Sequence, residues 1–425
     1  MSAPDISSHA FPGAYSAPTG LAKIELRLAV LAVFLAPMNA FRLDDVYLTL
    51  GDLVVGLCFL LLLARPQLLG ERLRMLPRFY GLGLFCLIFG LLLASIVNGD
   101  PVRGLVGQVQ YLFAYGVLPL IFLRASPEDA LLIAKAFLAA ILVLCLHGIW
   151  LTTLEGPVDM RFLSGSGRLR GLVERENAFA ALIAMTVPLV IWMIRRAVLR
   201  FWIGLLFLGL MLYTIMLTGS NTGLFSFVFA VVLMQLASPK PLRDGLLLAA
   251  FGGVAVFLFI AFGEAFLPDI FVKRVYGALS SGDMSQAGTL MDRLYLNFEA
   301  LQIAHTNLLI GQGMDQYRLN SVYEAPVHNA YLLLLNEGGL ITIIGLMMMF
   351  VAIATIGLTL VVRRDTRVTG SYLLVTFTIF VLVISATPHV YGRFWILPWL
   401  VALGLALAER RATTFSFSHK SFRID

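Results

Sequence analysis

Residues 340–362 read LITIIGLMMMFVAIATIGLTLVV, a run without a single charged side chain. A helix needs about 20 mostly apolar residues to cross the hydrocarbon core of a bilayer, so this stretch predicts a transmembrane helix. Of the 425 residues of the chain, 59% are hydrophobic and 13% are charged, and the mean hydropathy is +0.88. Soluble domains carry about 25% charged residues. The composition therefore predicts an all-α polytopic membrane protein.

Eleven further runs have the length and apolar character of a span, or nearly so. The twelve runs lie at 24–41, 50–65, 79–97, 104–123, 130–153, 177–194, 201–218, 221–238, 244–262, 340–362, 370–387 and 393–408. We therefore predict about twelve transmembrane helices. The longest polar stretch separates the ninth run from the tenth and predicts one large loop outside the membrane.

The bases of the short connections predict how the helices are oriented. Those that fall together on one side are Arg65, Arg72, Arg74, Arg78, Arg195, Arg196, Arg200, Lys240, Arg243, Arg363, Arg364, Arg367, Arg410 and Arg411. Short cytoplasmic loops carry an excess of lysine and arginine, so this side, and both termini with it, is expected to be cytoplasmic. The predicted division is a disordered cytoplasmic tail at 1–22, helices 1–9 at 23–262 with a short basic periplasmic loop at 155–176, a large periplasmic loop at 263–339, helices 10–12 at 340–408 and a cytoplasmic tail at 409–425.

Two outside segments carry bases in spite of this rule. The bases are Arg161, Arg168, Arg170 and Arg175 in the shorter segment, and Lys273, Arg274, Arg293, Arg318, His305 and His328 in the longer one. A guanidinium stays charged and binds phosphate oxygens in a bidentate manner, which suits a substrate with phosphate groups. For any single arginine, pairing with lipid headgroups or with Asp159, Glu174 and Glu176 is the simpler explanation. The cluster as a whole favours a functional site.

The large loop is predicted to contain an amphipathic helix. Thr289 and Asp292 form a helix-start pattern. The apolar residues that then recur at helical spacing are Leu290, Leu294, Phe298 and Leu301. We expect this stripe to lie on the outer membrane surface, with Arg293 beside it at the level of the lipid phosphates.

His328 is the candidate general base. It precedes a helical segment that reaches Glu337, Gly338 and Gly339 and continues as the apolar run. One straight helix of this length would measure roughly 50 Å, so His328 either stands above the membrane or precedes a break at the glycines. Either geometry puts it at the outer interface, where a structural histidine bonded to loop backbone is the alternative. On a straight helix Glu337 faces away from His328 and could orient it only if the glycines bend the chain.

Other polar residues near the outside face have simpler explanations. Asp44, Asp45 and Asp52 could hold a divalent metal, but no further ligand pattern accompanies them, and we predict ordinary interfacial acids. The sequence has no glycine loop for nucleotide phosphates and no serine or cysteine nucleophile motif. Three residues between the last two runs either complete the site or anchor helices at the interface: His389, Tyr391 and Arg393.

Several segments resemble the shared signature of the O-antigen ligase and O-antigen polymerase superfamily. They are Arg293-x-Tyr295, Ala300, Leu309-Ile-Gly311-Gln-Gly313, His328-Asn329-Ala-Tyr-Leu332 and Glu337-Gly338-Gly339. Upstream, Arg170-Gly171 followed by Asn177-Ala178 is similar to the family's stretch before a central helix. The sequence departs from the family at Ser220-Asn221, where many relatives carry Ser-Arg, so the role of that arginine is not carried over.

The resemblance implies a GT-C-like glycosyltransferase of the bacterial inner membrane that takes a glycan from undecaprenyl diphosphate at the periplasmic face. The acceptor in the ligase branch is a sugar hydroxyl of lipid A–core, and in the polymerase branch it is another carrier-linked repeat unit. Polymerases are described with basic loops that share an Arg-x10-Gly pattern. No arginine of the two outside loops has a glycine eleven residues further on, so we favour the ligase branch.

For such a ligase we expect a single displacement that inverts the anomeric carbon and needs neither cofactor nor metal. The expected catalytic residues are His328 as the base, with Arg293 and Arg274 neutralising the diphosphate. The expected substrate-binding residues are Arg161, Arg168, Arg170, Asn329 and Glu337. The expected partners are the lipid-linked donor, the lipid A–core acceptor and membrane lipids, without nucleic acid, and the chain is expected to act as a monomer.

Two functions from other classes stay open at this point. A secondary transporter would place ionisable groups near the membrane midplane on broken helices. Here the charges concentrate outside the membrane, and His147 is the main ionisable residue within a run. A non-catalytic scaffold of an envelope complex would tolerate replacement of His328.

Overall fold

The computed structural model describes residues 20–43, 48–153, 158–238, 240–246, 253, 268–272 and 290–421. Several sequence predictions fall outside these ranges: most of the ninth run, 244–262, and the residues Asp44, Asp45, Arg274 and Thr289. The described chain is almost wholly helical. Its two short strands, Arg42–Leu43 and Leu48–Thr49, pair antiparallel with Arg42 opposite Thr49.

The described helices follow one another through short connections. In chain order they are α1 (Gly20–Leu35), α2 (Leu50–Leu63), α3 (Pro66–Met75), α4 (Arg78–Asn98), α5 (Pro101–Leu112), α6 (Leu118–Phe122), α7 (Pro127–Thr153), α8 (Glu176–Arg195), α9 (Phe201–Thr218), α10 (Asn221–Leu236), α11 (Asp269–Phe271), α12 (Leu290–Thr306), α13 (Tyr317–Asn320), α14 (Ala330–Val361), α15 (Arg367–Val383) and α16 (Arg393–Ser421). A π-helical turn, Phe113–Val117, joins α5 to α6.

Seven helices in the described ranges are long and apolar enough to cross a membrane, or eight if the bent pair α2–α3 counts as one span. This confirms the predicted all-α polytopic membrane protein, whereas the number of twelve spans stays a prediction. The two largest differences from the predicted boundaries are at α14 and α16. α14 begins at Ala330 rather than at 340 because Asn329 caps it there, and α16 continues to Ser421.

The helix α8 lies at the centre of the bundle. Every residue from Ala178 to Met193 is buried, and α9, α10, α15 and α16 pack around this helix. A helix that is apolar on all sides is expected in such a position. Since α8 begins at Glu176, directly after the basic segment, it fixes the end of that segment in the fold.

Glycines allow α4 and α14 to pack antiparallel at close distance. A Cβ atom at Gly83 would lie 2.6 Å from the carbonyl oxygen of Gly345, and one at Gly90 would lie 2.3 Å from Thr342 Oγ1. Small residues at a helix interface let backbones approach each other, as is common between membrane helices. The contact fixes the end of α4 beside the start of α14.

The residues before α2, α8, α14 and α16 and those after α4 and α9 lie together on one end of the bundle, which we call the site face. Arg393 pairs with Asp52, and Arg168 donates to the Thr218 carbonyl oxygen at 2.8 Å. Asn98 donates to the Gly311 carbonyl oxygen at 2.9 Å. The loops that the sequence analysis assigns to the periplasm therefore meet.

The connections that carry the predicted cytoplasmic bases meet on the opposite end. Arg411 pairs with Glu71 at 3.2 Å, and Arg196 pairs with Glu409. Deeper in the bundle, Arg124 and Glu25 form an ion pair at 2.6 Å, with side chains 1% and 3% exposed. The two ends of the bundle thus separate the same loops that the alternation of basic residues separates.

A candidate active site around two histidines

His328 lies half-buried in the turn before α14. Burial lowers the pKa of its imidazole below the ordinary value of histidine, and the positive charges of Arg293 on α12 and Arg175 before α8 lower this pKa further. A histidine with a lowered pKa is neutral at pH 7 and can accept a proton. The structure therefore brings a candidate base together with two guanidinium groups from distant parts of the sequence.

His389, in the turn between α15 and α16, belongs to the same cluster. Burial, together with the positive charges of Arg175 and His328, lowers the pKa of His389 to about 4. Its Nδ1 atom is buried without a hydrogen-bond partner among the described residues. Its ring centroid lies 5.5 Å from that of Tyr391. Of the two alternatives for this turn, completion of the site fits His389.

Arg393 follows the other alternative and anchors helices. It forms a two-bonded ion pair with Asp52, which joins the start of α16 to the start of α2. The Asp52 carboxylate also accepts hydrogen bonds from the backbone N–H and the hydroxyl of Thr49, each at 2.8 Å. These bonds explain the buried Asp52 as the capping-box partner of Thr49, the N-cap of α2, and as an ion-pair partner of Arg393.

Asn329 fixes where α14 starts. Its Oδ1 atom accepts hydrogen bonds from the backbone N–H groups of Tyr331 and Leu332 at 3.1 and 3.3 Å. This is the usual role of asparagine at a helix N-cap. Because Asn329 caps the N-terminus of the helix, the preceding residue, His328, lies in irregular backbone at the site face. Substrate binding by Asn329 stays a prediction.

The helix α14 is broken at Gly339, where φ is +72° and ψ is −170°. Residues 307–313, which we call the signature loop, lie against this break. The N–H of Gln312 donates to the Asn336 carbonyl oxygen at 2.7 Å, and the N–H of Leu340 donates to that of Leu308 at 2.9 Å. A Cβ atom at Gly311 would lie 2.4 Å from the carbonyl carbon of Glu337. The break at the glycines is therefore the observed alternative, and the loop satisfies the backbone groups that it exposes.

Glu337 is buried beneath the signature loop, with 3% of its surface exposed. Its Oε1 atom accepts a hydrogen bond from the backbone N–H of Asp315 at 2.9 Å. Arg318 bonds to the Asp315 carboxylate at 2.6 and 3.0 Å. Burial opposes ionisation of Asp315, but the bonds from Arg318 and Arg103 prevail and lower its pKa. In this geometry Glu337 holds the turn after the loop instead of orienting His328.

The sequence was compared with models of known protein families. A family model described as O-Antigen ligase matches residues 206–347. This segment is a domain of the O-antigen ligase and polymerase superfamily. The match confirms the resemblance drawn from the sequence, and it includes Arg293, the signature loop and His328. Members of this family are glycosyltransferase-like enzymes that act on lipid-linked glycans. No curated protein matches the chain.

Three predicted substrate-binding arginines lie before the segment that the family model matches, and each bonds to neighbouring protein groups. The partners are Asp159 for Arg161 at 2.9 Å, Glu176 for Arg170 at 3.0 Å, and the Thr218 carbonyl oxygen and Asn177 Oδ1 for Arg168, each at 2.8 Å. Pairing with acids is thus observed for Arg161 and Arg170. Their binding of substrate stays a prediction.

The sequence analysis did not select Arg175, although it lies in the same basic segment. Its side chain is exposed, and within the described ranges its guanidinium has neither an ion pair nor a hydrogen bond. The charge of Arg175 nevertheless acts on both histidines of the cluster. The one feature of the sequence that could have indicated Arg175 is its position directly before the central helix α8, since the start of α8 lies at the site face.

The helix α12 carries Arg293 into the candidate site. Its buried residues Leu296 and Ala300 pack in a small core with Tyr317, Val327 and Leu333. Three residues of the predicted apolar stripe lie on its exposed side: Leu294, Phe298 and Leu301, at 43%, 64% and 53% exposure. An exposed apolar side suits contact with lipid, and the predicted position on the membrane surface stays a prediction.

Proposed function

We propose that the protein is an O-antigen ligase of the bacterial inner membrane. It transfers a glycan from undecaprenyl diphosphate to a sugar hydroxyl of lipid A–core at the periplasmic face. One observation carries the proposal: within a segment that matches this superfamily, a half-buried histidine lies close enough to two arginines for their charges to favour its neutral form. A neutral imidazole accepts the proton of a hydroxyl, and guanidinium groups stabilise a diphosphate.

The proposed reaction is a single displacement. The acceptor oxygen forms a bond to the anomeric carbon while the bond from that carbon to the phosphate oxygen breaks. The hydroxyl proton goes to His328, and the electron pair of the breaking bond leaves with the diphosphate. Arg293 and Arg274 neutralise the charge that develops there. Attack from the side opposite the leaving group inverts the anomeric centre, and the diphosphate leaves without help from a metal or a nucleotide.

The basic segment contributes in two ways in this proposal. Arg175 and the exposed Arg161 reach the phosphates of the donor, since both lie at the site face. Arg168 and Arg170 support the segment through their bonds to Thr218 and Glu176. In this proposal they also contact the substrate, at the edge of the basic segment. Asn329 and Glu337 act by holding His328 and the signature loop in position.

Reconstitution in liposomes tests the function. The purified protein is mixed with a carrier-linked glycan and rough lipopolysaccharide, with and without a chelator. We expect conjugation of glycan to lipopolysaccharide in both cases. Lengthening of the carrier-linked glycan would identify a polymerase instead. Movement of the glycan lipid across the bilayer without any conjugate would identify a transporter and contradict the proposal.

Cysteine labelling tests the proposed orientation, in which the site face is periplasmic. Ser166 and Arg364 are both exposed and lie on opposite ends of the bundle. After replacement of Cys58, Cys86 and Cys145, we expect Ser166→Cys to react with an impermeant maleimide in intact cells. Arg364→Cys should react only after permeabilisation. The reverse pattern would place the histidine cluster on the cytoplasmic side. This would contradict the proposal, in which the donor glycan is bound at the periplasmic face.

Arg175→Gln should change the pH dependence of transfer. The base must be neutral, so kcat/KM falls at pH values below the pKa of His328 in the free enzyme. Removing a positive charge near the imidazole raises this pKa, and the acid limb should move to higher pH by about half a unit. Arg161→Gln is the matched control, because Arg161 pairs with Asp159 and does not lower the pKa of either histidine. An acid limb that stays in place in Arg175→Gln would separate Arg175 from the base.

A further inference from the structure

A polar cavity of about 590 Å³ opens beside the signature loop. It is lined by Asn98, Gln302, Ile303, Thr306, Asn307, Gln312 and Asn320. Five of these seven side chains are carboxamides, and none is charged. The cavity lies at the site face, where α4 ends, and it is bounded by the last turns of α12, the helix that carries Arg293.

The hydrogen bonds within the lining leave a mixed set of free groups. The Nδ2 atoms of Asn98 and Asn320 donate to the Gly311 carbonyl oxygen and to Gln312 Oε1, at 2.9 and 2.8 Å. The Asn307 amide donates to Thr306 at 3.2 Å. The amide oxygens of the three asparagines therefore stay available as acceptors, and the Gln312 nitrogen as a donor. Gln302, exposed on α12, offers both kinds of group.

Charged residues close in sequence to the lining are bonded to other protein groups, and Glu299 accepts hydrogen bonds from the hydroxyls of Tyr317 and Ser321 at 3.0 and 2.8 Å. Arg103 and Arg318 both pair with Asp315, and Arg103 also lies 3.7 Å from Asp100. A charged ligand would thus find no free counter-charge in the lining. Hydroxyl groups both donate and accept, so they match a mixed set of amide donors and acceptors. Ile303 adds an apolar contact for the C–H face of a sugar ring.

We propose that this cavity binds an uncharged sugar unit of the lipid-linked glycan. The proposal rests on the proposed function and names the part of the substrate that the cavity recognises. Its volume falls in the range of about 300–1,000 Å³ typical of small-molecule sites. The arrangement separates two tasks, because the arginines near the histidines hold the diphosphate while the amide cavity holds neutral sugar.

Saturation-transfer NMR on the full chain in nanodiscs tests this binding without any transfer reaction. The probes are the methyl glycosides of glucose, N-acetylglucosamine and rhamnose, with methyl glucuronide as the charged comparison. We expect at least one neutral glycoside to bind more tightly than the glucuronide. Gln302→Ala and Asn307→Ala should each raise its Kd about five- to tenfold, the effect of one lost hydrogen bond.

Gln67→Ala is the matched control, because Gln67 is an exposed amide on α3, at the other end of the bundle. It should leave the Kd unchanged, and melting temperatures should show all three variants folded. Binding of no neutral glycoside, equal binding of the glucuronide, or an unchanged Kd in both cavity variants would overturn the proposal. Since no donor is present, these outcomes are independent of whether the protein proves to be a ligase.

Discussion

His328→Gln should lower the rate of glycan transfer about 10²–10⁴-fold, which is the usual contribution of a positioned acid–base group. Glutamine keeps a hydrogen-bonding group of similar size, but it cannot take up the proton of the acceptor hydroxyl. His328→Ala should be as inactive, and both variants should insert and fold. The measurement is the initial rate of conjugation per folded protein, together with the melting temperature in detergent.

His305→Gln is the matched control, because His305 lies exposed near the end of α12, in the same loop. Its rate should stay near that of the wild type. A structural role of His328 predicts a different result, in which glutamine preserves the hydrogen bond and activity while alanine lowers the melting temperature. Near-normal transfer by His328→Gln would exclude this residue as the base, and His389 would then be the first candidate to replace it.

Gly339→Ala should destroy the site without touching any of the proposed catalytic groups. The φ of +72° with ψ of −170° belongs to a region that almost only glycine adopts. A Cβ atom there would also lie 2.3 Å from the Leu309 carbonyl oxygen. Backbone strain and overlap together should cost about 3 kcal/mol or more, so we expect a large drop in melting temperature and loss of transfer.

Gly81→Ala provides the comparison, because a Cβ atom at Gly81 would meet nothing within 4 Å. In a helix interior, alanine is favoured over glycine by about 1 kcal/mol, and this variant should be at least as stable as the wild type. Equal melting temperatures for Gly339→Ala and the wild type would mean that the chain can cross the break by another path. The signature loop would then not need the backbone bonds described above.

The sequence predicted the helices well where the apolar runs exceed the thickness of a bilayer, since that signal is local. It also pointed to His328 and Arg293 as candidate site residues, because both lie in one continuous segment with the family signature, and their catalytic roles stay predictions. It did not single out Arg175 or assign His389 to the site, because tertiary packing alone brings these two residues to His328. Substrate binding by Glu337 stays a prediction, and the sequence did not predict its contact with the backbone N–H of Asp315, which depends on how the chain folds around the break at Gly339.

The arginines of the basic segment illustrate a second limit. Their spacing does not reveal which of them an acid will neutralise. Arg161 bonds to Asp159, two residues away in sequence, and Arg170 bonds to Glu176, six residues away. Glu174, in contrast, pairs with the distant Arg42 at 3.4 Å. That long-range pair depends on the position of the strand hairpin before α2. Sequence proximity therefore could not separate Arg175 from its three neighbours.

The buried pair of Glu25 and Arg124 has a consequence for how the protein is made. A buried charge whose partner is missing costs several kcal/mol, and these two residues are 99 positions apart in the chain. While the ribosome is still producing α2 to α5, Glu25 lacks Arg124, whose guanidinium bonds to its carboxylate in the folded chain, and we expect it to stay near water at the membrane surface. The first helix can therefore settle into its final place only once Arg124 has emerged. Substituting Arg124 should accordingly lower the yield of inserted protein rather than the turnover of those molecules that do assemble.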